Sequence, residues 1–138
     1  MHLFDAISIA GSGLNAQALR LNTTASNLAN SNSVSSSAGL TYRARHPVFE
    51  ATPLQASARS PSGAGVRVVG IVESQQPLNK EYRPEHPAAD PEGYVHLPNV
   101  NVVEEMANMI SASRTYQSNV EVINTSKQML LRSLSLGQ

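Results

Sequence analysis

Four histidines, His2, His46, His86 and His96, are the side chains best suited to hold a metal ion or move a proton. His86 and His96 stand in a proline-rich stretch beside Asp90 and Glu92, a donor set that a divalent ion would accept. Their spacing matches neither a His-x-x-x-His helix face nor an EF-hand loop, so both histidines are expected in a solvated loop. Glu104 and Glu105 are adjacent, and adjacent residues point to different faces of a helix. Alone they form no paired acid and base, and a place at a helix N-terminus or opposite a neighbouring charge suits them better. The Gly-Ser-Gly at Gly11 to Gly13 would let a backbone approach a phosphate, but no strand precedes it and the rest of either nucleotide fingerprint is missing. No Gly-x-Ser-x-Gly elbow occurs. The absence of Cys excludes disulfides, thiolate ligands and Cys nucleophiles. Asn22 and Asn124 open glycosylation sequons inside predicted helices, a short pattern that arises often by chance. No catalytic residue, cofactor or metal is expected, and the chain is not expected to be an enzyme.

The elements that carry these residues are built on a seven-residue recurrence. Ile7, Leu14, Leu21 and Leu28 repeat every seven positions, with Phe4, Gly11, Ala18 and Ala25 three positions before each. That is an a/d seam with small residues in one row, and it predicts a helix from near the start to Asn30. The Ser-rich run after Asn30 and then Gly39 end it. Val102, Met109, Tyr116, Ile123 and Leu130 repeat in the same way, and Met106, Val120 and Leu134 fill part of the companion row. A second helix is predicted from about Val100 to Ser135, capped by Asn99 or Asn101, with Glu104 and Glu105 in its first turn. Asn22, Asn27, Asn30, Asn119 and Asn124 flank the two apolar seams. They either line a solvated face or lie between subunits, where buried amides fix register. Arg114 is expected at the rim.

Between the helices the pattern changes. Ala64 to Ser74 is β-branched and partly alternating, and Thr41 to Ala51 is a second strand candidate that Pro47 pushes toward an edge or a bulge. Five prolines punctuate Pro77 to Pro98, which predicts an extended arm. The expected class is therefore mainly α with a small β-rich middle, the long terminal helices packed as an antiparallel, coiled-coil-like pair.

The chain has 138 residues and equal numbers of basic and acidic side chains, 10 of each, scattered singly. Nothing favours a nucleic-acid partner or a small-molecule substrate. The start lacks the basic region of a Sec signal peptide, and no apolar run approaches the ~20 residues that span a membrane. A helix of ~35 residues is ~50 Å long, whereas a compact body of this length is only ~37 Å across. The terminal helices must therefore project, and their apolar edges find shelter on each other and on further chains. The candidate assembly interface is Phe4, Ile7, Leu14, Leu21, Asn22, Ala25, Asn27, Leu28 and Asn30 on the first helix. On the second it is Val102, Met106, Met109, Tyr116, Asn119, Val120, Ile123 and Leu130.

Particular stretches carry a likeness as well. "LRLNTTASNLANSNSV" (Leu19 to Val34), with "ASNLAN" at its centre, resembles the N-terminal signature of the bacterial flagellar rod and hook protein family. "YRAR" at Tyr42, "GVRVVGIVES" at Gly65 and the long block from His86 to Leu130 extend the likeness over nearly the whole chain and point to a subunit of the proximal rod. Asn101 stands where such proteins usually carry Asp. The resemblance implies a structural subunit of the flagellar basal body, passed through the flagellar type III export apparatus without a cleaved signal peptide and polymerised in the periplasm into the rod. Residues 1–32 and 100–138 would form the rod core and residues 33–99 the β-rich middle. Implied partners are copies of itself, other proximal-rod proteins, the rod-base adaptor of the export gate, the MS ring and the distal rod. The competing reading from the residues is a helical binding module of the export-chaperone or effector type, which would stop at a finite complex.

Overall fold

A computed structural model describes residues 3–53 and 63–136; His2 lies outside them. Two helices, α1 (Leu3–Ala29) and α2 (Val102–Leu136), flank four strands: β1 (Arg45–Pro53), β2 (Ala64–Glu73), β3 (Asn79–Tyr82) and β4 (Tyr94–Leu97). The class is mainly α with a small β-rich middle. Among the described residues, no helix is long and apolar enough to cross a membrane.

Local chemistry sets the helix ends. Asp5 sits in the first turn of α1, where the helix dipole favours a carboxylate. At the other end Asn30 Nδ2 donates to the Ser26 carbonyl (2.8 Å), and the Ser31 and Ser33 hydroxyls donate to the carbonyls of Leu28 and Asn30. The polar run thus bonds the last carbonyls that the helix leaves unpaired. On α2 the cap is Asn101, whose Oδ1 accepts from the N–H groups of Val103 (3.1 Å) and Glu104 (3.3 Å). Asn99 is no cap. Its Oδ1 accepts from Ala44 N (2.8 Å) and its Nδ2 donates to the Gln76 carbonyl (2.9 Å), tying the approach to β1 against the end of the ribbon.

β1 and β2 form an antiparallel ribbon with a bulge at Val48/Phe49, pinned by the ion pairs Arg45–Glu73 and Arg67–Glu50. Arg45 turns both its N–H and its C=O away from β2, toward α1. By the alternation of an antiparallel ladder Pro47 faces the same way, so its ring costs no ladder bond. On the other edge, Val66 N donates to Ser12 Oγ of α1 (3.0 Å).

The expected extended arm is corrected. β3 and β4 pair antiparallel, so the Pro77–Pro98 stretch folds back on itself as a hairpin. Pro84, Pro87 and Pro91 all fall in its turn, outside both strands. There Asp90 Oδ1 accepts from Glu92 N and Tyr94 N, and Gly93 takes the positive φ (84°) that closes the turn. Tyr82 meets Tyr94 edge to face at 5.3 Å. Val95 is fully buried, and the His96 backbone bridges to Ser35.

Three contacts set the course of the helix pair. Asn27 meets Glu105, Arg20 meets Asn108, and Gly13 lies against Asn119. Positions fall along α2 as they rise along α1, so the pair is antiparallel. The contact line is not the expected Leu/Ile seam. Its buried residues are small or polar: Ala10, Thr24 and Asn27 on α1, and Glu105, Ala112 and Ser126 on α2.

Candidate functional site

Helical phase explains where the apolar rows went. Successive residues turn about 100° round an α-helix. Gly13, Arg20 and Asn27 mark the side of α1 that faces α2, while Ser12, Ala16 and Leu19 line a cavity with Val66 and Val68 of the ribbon. Ile7, Leu14, Leu21 and Leu28 follow the first line by one residue each, which carries them to the side away from the ribbon. On α2, Asn108 shares a cavity with Pro47 and Phe49 on the ribbon side. Met109, Tyr116, Val120 and Ile123 are therefore on the opposite flank. By helical phase the two apolar rows fall on the same face of the pair, the one opposite the ribbon.

That face is incompletely covered. Ile7, Leu14, Leu21, Leu28, Met109, Val120, Ile123 and Leu130 are half-buried, whereas Val102, Met106 and Tyr116 are exposed. Phe4 is 71% exposed. Asn22 and Ala25 point to solvent on the outer flank of α1, as do Arg114 and Asn124 on α2. Asn30 is half-buried and bonded within its own helix. Asn119 is half-buried against Gly13, where an added Cβ would stand 2.8 Å from its Nδ2.

Asn27 departs from its expected place between subunits. It is fully buried within the chain. Its Nδ2 donates to the Arg45 carbonyl (2.8 Å) and to Glu105 Oε2 (3.0 Å). Its Oδ1 accepts from Arg45 N (2.8 Å) and from the Tyr42 hydroxyl (2.9 Å). Two donors and two acceptor sites complete the hydrogen-bonding capacity of a primary amide. One side chain thus joins the end of α1, the loop before β1, β1 itself and the start of α2. Sequence reasoning missed Glu105 and Arg20 as its neighbours in this contact line, because Glu105 stands 78 positions from Asn27 and no local pattern links them.

Among the described residues, the histidines lie apart from one another. His46 is exposed on β1. His86 Nδ1 accepts from Ala88 N (3.1 Å) inside the hairpin turn. His96 is buried on β4, not in a solvated loop as expected, with Nε2 4.0 Å from Asp90 Oδ2. Among the described residues, no three His, Asp or Glu side chains converge as a metal ligand set. A polar cleft of about 720 Å³ lies beside the end of α1, lined among others by Ser35, Thr41, Arg43, Arg45 and Glu73. Its charged groups are already engaged: Arg43 donates to the carbonyls of Ser74 and Gln76, and Arg45 pairs with Glu73.

A long antiparallel helix pair with large apolar side chains left half-covered, beside an amide bonded fully within the chain, is what a structural subunit presents. Comparison with known proteins gives that class a name. Residues 7–35 match the family model described as flagella basal body rod protein, and residues 92–136 match that of the flagellar basal body rod FlgEFG protein C-terminal region. The whole chain is 51% identical to all of the flagellar basal-body rod protein FlgC of Salmonella typhimurium and 50% identical to all of that of Escherichia coli O6:H1. It is 40% identical to 99% of the FlgC of Borreliella burgdorferi. The chain belongs to the FlgC family of flagellar basal-body rod proteins. It is a structural subunit of the rod of the flagellar basal body. Its relatives are rod proteins and not enzymes.

Proposed function

We propose that the face opposite the ribbon is the surface through which this subunit polymerises in the proximal rod. Ile7, Leu14, Leu21 and Leu28 on α1, with Met109, Tyr116, Val120, Ile123 and Leu130 on α2, receive helices of neighbouring chains there. Phe4, Asn22, Ala25, Val102 and Met106 form the rim. Such packing extends the antiparallel, coiled-coil-like pairing of the two helices to neighbouring chains. Residues 1–32 and 100–138 serve as the rod core, and residues 33–99 as the outer middle.

The observation that carries this reading is the half-covered double row of large apolar side chains beside a contact line of small and polar ones. Surface area supports it. The chain exposes 9458 Å², whereas a compact monomer of its mass exposes about 6,900 Å². An elongated chain exposes more surface than a compact one of its mass, and that surface is available to neighbours. The neighbours are copies of the chain, other proximal-rod proteins, the rod-base adaptor of the export gate, the MS ring and the distal rod, with the flagellar type III export apparatus met in transit. In this role the subunit is part of a drive shaft that transmits torque and encloses the export channel.

The test is Leu21→Asp and, separately, Ile123→Asp. Each places a carboxylate in a surface that is half-open in the monomer and closed in the assembly. Motility and rods visible by electron microscopy are expected to disappear, while the monomer's melting temperature stays within a few degrees of wild type. Normal rods in either variant would exclude this face as the interface.

A further inference from the structure

Four arginines of the middle region have their charge answered within the chain. Arg45 pairs with Glu73, Arg67 with Glu50 and Arg83 with Glu81, while Arg43 donates to two backbone carbonyls. Arg20 differs. It is half-buried on α1, and among the described residues its guanidinium meets no carboxylate. Its hydrogen bond there runs from Nη2 to the neutral Asn108 Oδ1 (2.9 Å). A guanidinium carries five N–H donors, so most of them remain for a ligand. Arg20 lines a cavity of about 320 Å³ where α1, α2 and β1 meet. Asn108 shares its helix wall, and the cavity opens past Arg45, His46 and Phe49, all exposed, with Pro47 beside them. Among the described residues that line it, none is acidic. Two features select what it would take. An arginine with open donors holds a carboxylate by two parallel hydrogen bonds. Pro47 and Phe49 add an apolar wall, which suits the methylenes behind a side-chain carboxylate and offers nothing to an inorganic anion. At this volume the cavity takes one side chain and not a helix.

We propose that this cavity is the socket for an acidic side chain of a neighbouring rod subunit, with Arg20 as the anchoring cation. The incoming carboxylate meets the guanidinium that Asn108 holds in place, and its stem packs on Pro47 and Phe49. Contacts in a ring or a helical array are heterologous, so one patch of a chain meets a different patch of the next. An apolar face on one side of the helix pair therefore calls for an unlike surface elsewhere, and the Arg20 cavity lies on the opposite, ribbon side. Docking there engages a guanidinium already half withdrawn from water, where an ion pair is worth more than between fully exposed side chains. The inference uses the chain's place in the rod and not the apolar-face reading above. It stands whether or not Leu21→Asp blocks assembly.

Arg20→Gln removes the charge and keeps an amide donor for Asn108, so it separates the proposed ion pair from the contact between the helices. Rods counted by electron microscopy and swimming are expected to fall about tenfold or more, while the purified chain's melting temperature stays within a few degrees of wild type. Arg20→Lys keeps a point charge without the fork and should retain part of the assembly. A photo-crosslinking residue in place of His46, at the cavity mouth, locates the partner in isolated basal bodies. It should join a peptide of an adjacent rod subunit that carries Asp or Glu within one helical turn of the joined position. Arg20→Glu should lack rods, and changing that acidic residue to Arg in the same cell should restore them. Normal rods in Arg20→Gln, a joined peptide without an acidic residue, no joined peptide (as a free small carboxylate in the cavity would give) or no rescue by the double reversal would each overturn the proposal. Should Arg20→Gln fail to fold, His46→Glu is read in its place. Its carboxylate, added at an exposed position, should repel the incoming one and cut rods as strongly; normal rods there also overturn the proposal.

Discussion

Asn27→Asp changes one side-chain nitrogen to oxygen and keeps the shape, so its effect can be worked from distances. The new oxygen would lie 3.0 Å from Glu105 Oε2 and 2.8 Å from the Arg45 carbonyl, facing two acceptors where a donor stood. Two hydrogen bonds are lost, and each unsatisfied group costs about 1–3 kcal/mol. Two charges 3.0 Å apart repel by about 5 kcal/mol at an effective dielectric near 20. The chain can escape that repulsion by taking up a proton, which from pH 7 costs about 4 kcal/mol for a carboxyl titrating near pH 4. The electrostatic penalty is therefore capped at about 4 kcal/mol, the captured proton restores the bond toward Glu105, and with the Arg45 carbonyl left unpaired the total of roughly 5 or more is comparable to the whole stability of a small domain. The sign of the pH dependence follows. The folded variant holds a shared proton that its unfolded chain releases at neutral pH, so its stability rises as pH falls from 7 toward 4 and is lost as pH rises. The assay is urea unfolding followed by circular dichroism from pH 7.5 to 4.5, wild type beside the variant. The gap between them should shrink by up to about 1.4 kcal/mol per pH unit. Adding Glu105→Gln should abolish that slope. A variant as stable as wild type at pH 7, or a gap that ignores pH, would refute the burial and bonding described for this pair.

Smaller changes test the other joints. Gly13→Ala places a Cβ 2.8 Å from the turnable end of Asn119. The strain is offset by about 1 kcal/mol of helix propensity, so its melting temperature should shift little. Gly13→Leu cannot be so accommodated and should destabilise by about 2 kcal/mol or more. Asn101→Ala removes the cap of α2 and should cost about 1 kcal/mol in thermal unfolding. Asn101→Asp should instead gain a few tenths at low salt, fading as salt rises, because a carboxylate suits the helix N-terminus. Ser12→Ala takes the acceptor from Val66 N at the ribbon edge and should speed hydrogen exchange at that amide while leaving β3–β4 unchanged.

Much of the fold was legible in local order. The seven-residue rows marked both helices, because an α-helix brings positions three, four and seven apart onto one face whatever surrounds it. Asn101, the Ser-rich run after Asn30, and the prolines that interrupt strands act through backbone groups within a few residues, so short stretches disclosed them. What no stretch disclosed was which side of each helix the other would cover. The rows of Leu and Ile were strong enough to form a seam together, yet Gly13, Ala112, Asn27 and Glu105 took the centre. Close approach there depends on the small or hydrogen-bonding partner each residue meets on the other helix, and not on its own apolarity. The same holds for Asn27, which reads as an interface amide until Arg45, Tyr42 and Glu105 arrive from distant segments, and for His96, buried only because the proline-rich stretch folds back. Residue order thus set periods, caps and breaks, which arise from chemistry between near neighbours. Docking of segments far apart along the chain decided which polar groups are enclosed and which apolar side chains remain half-covered.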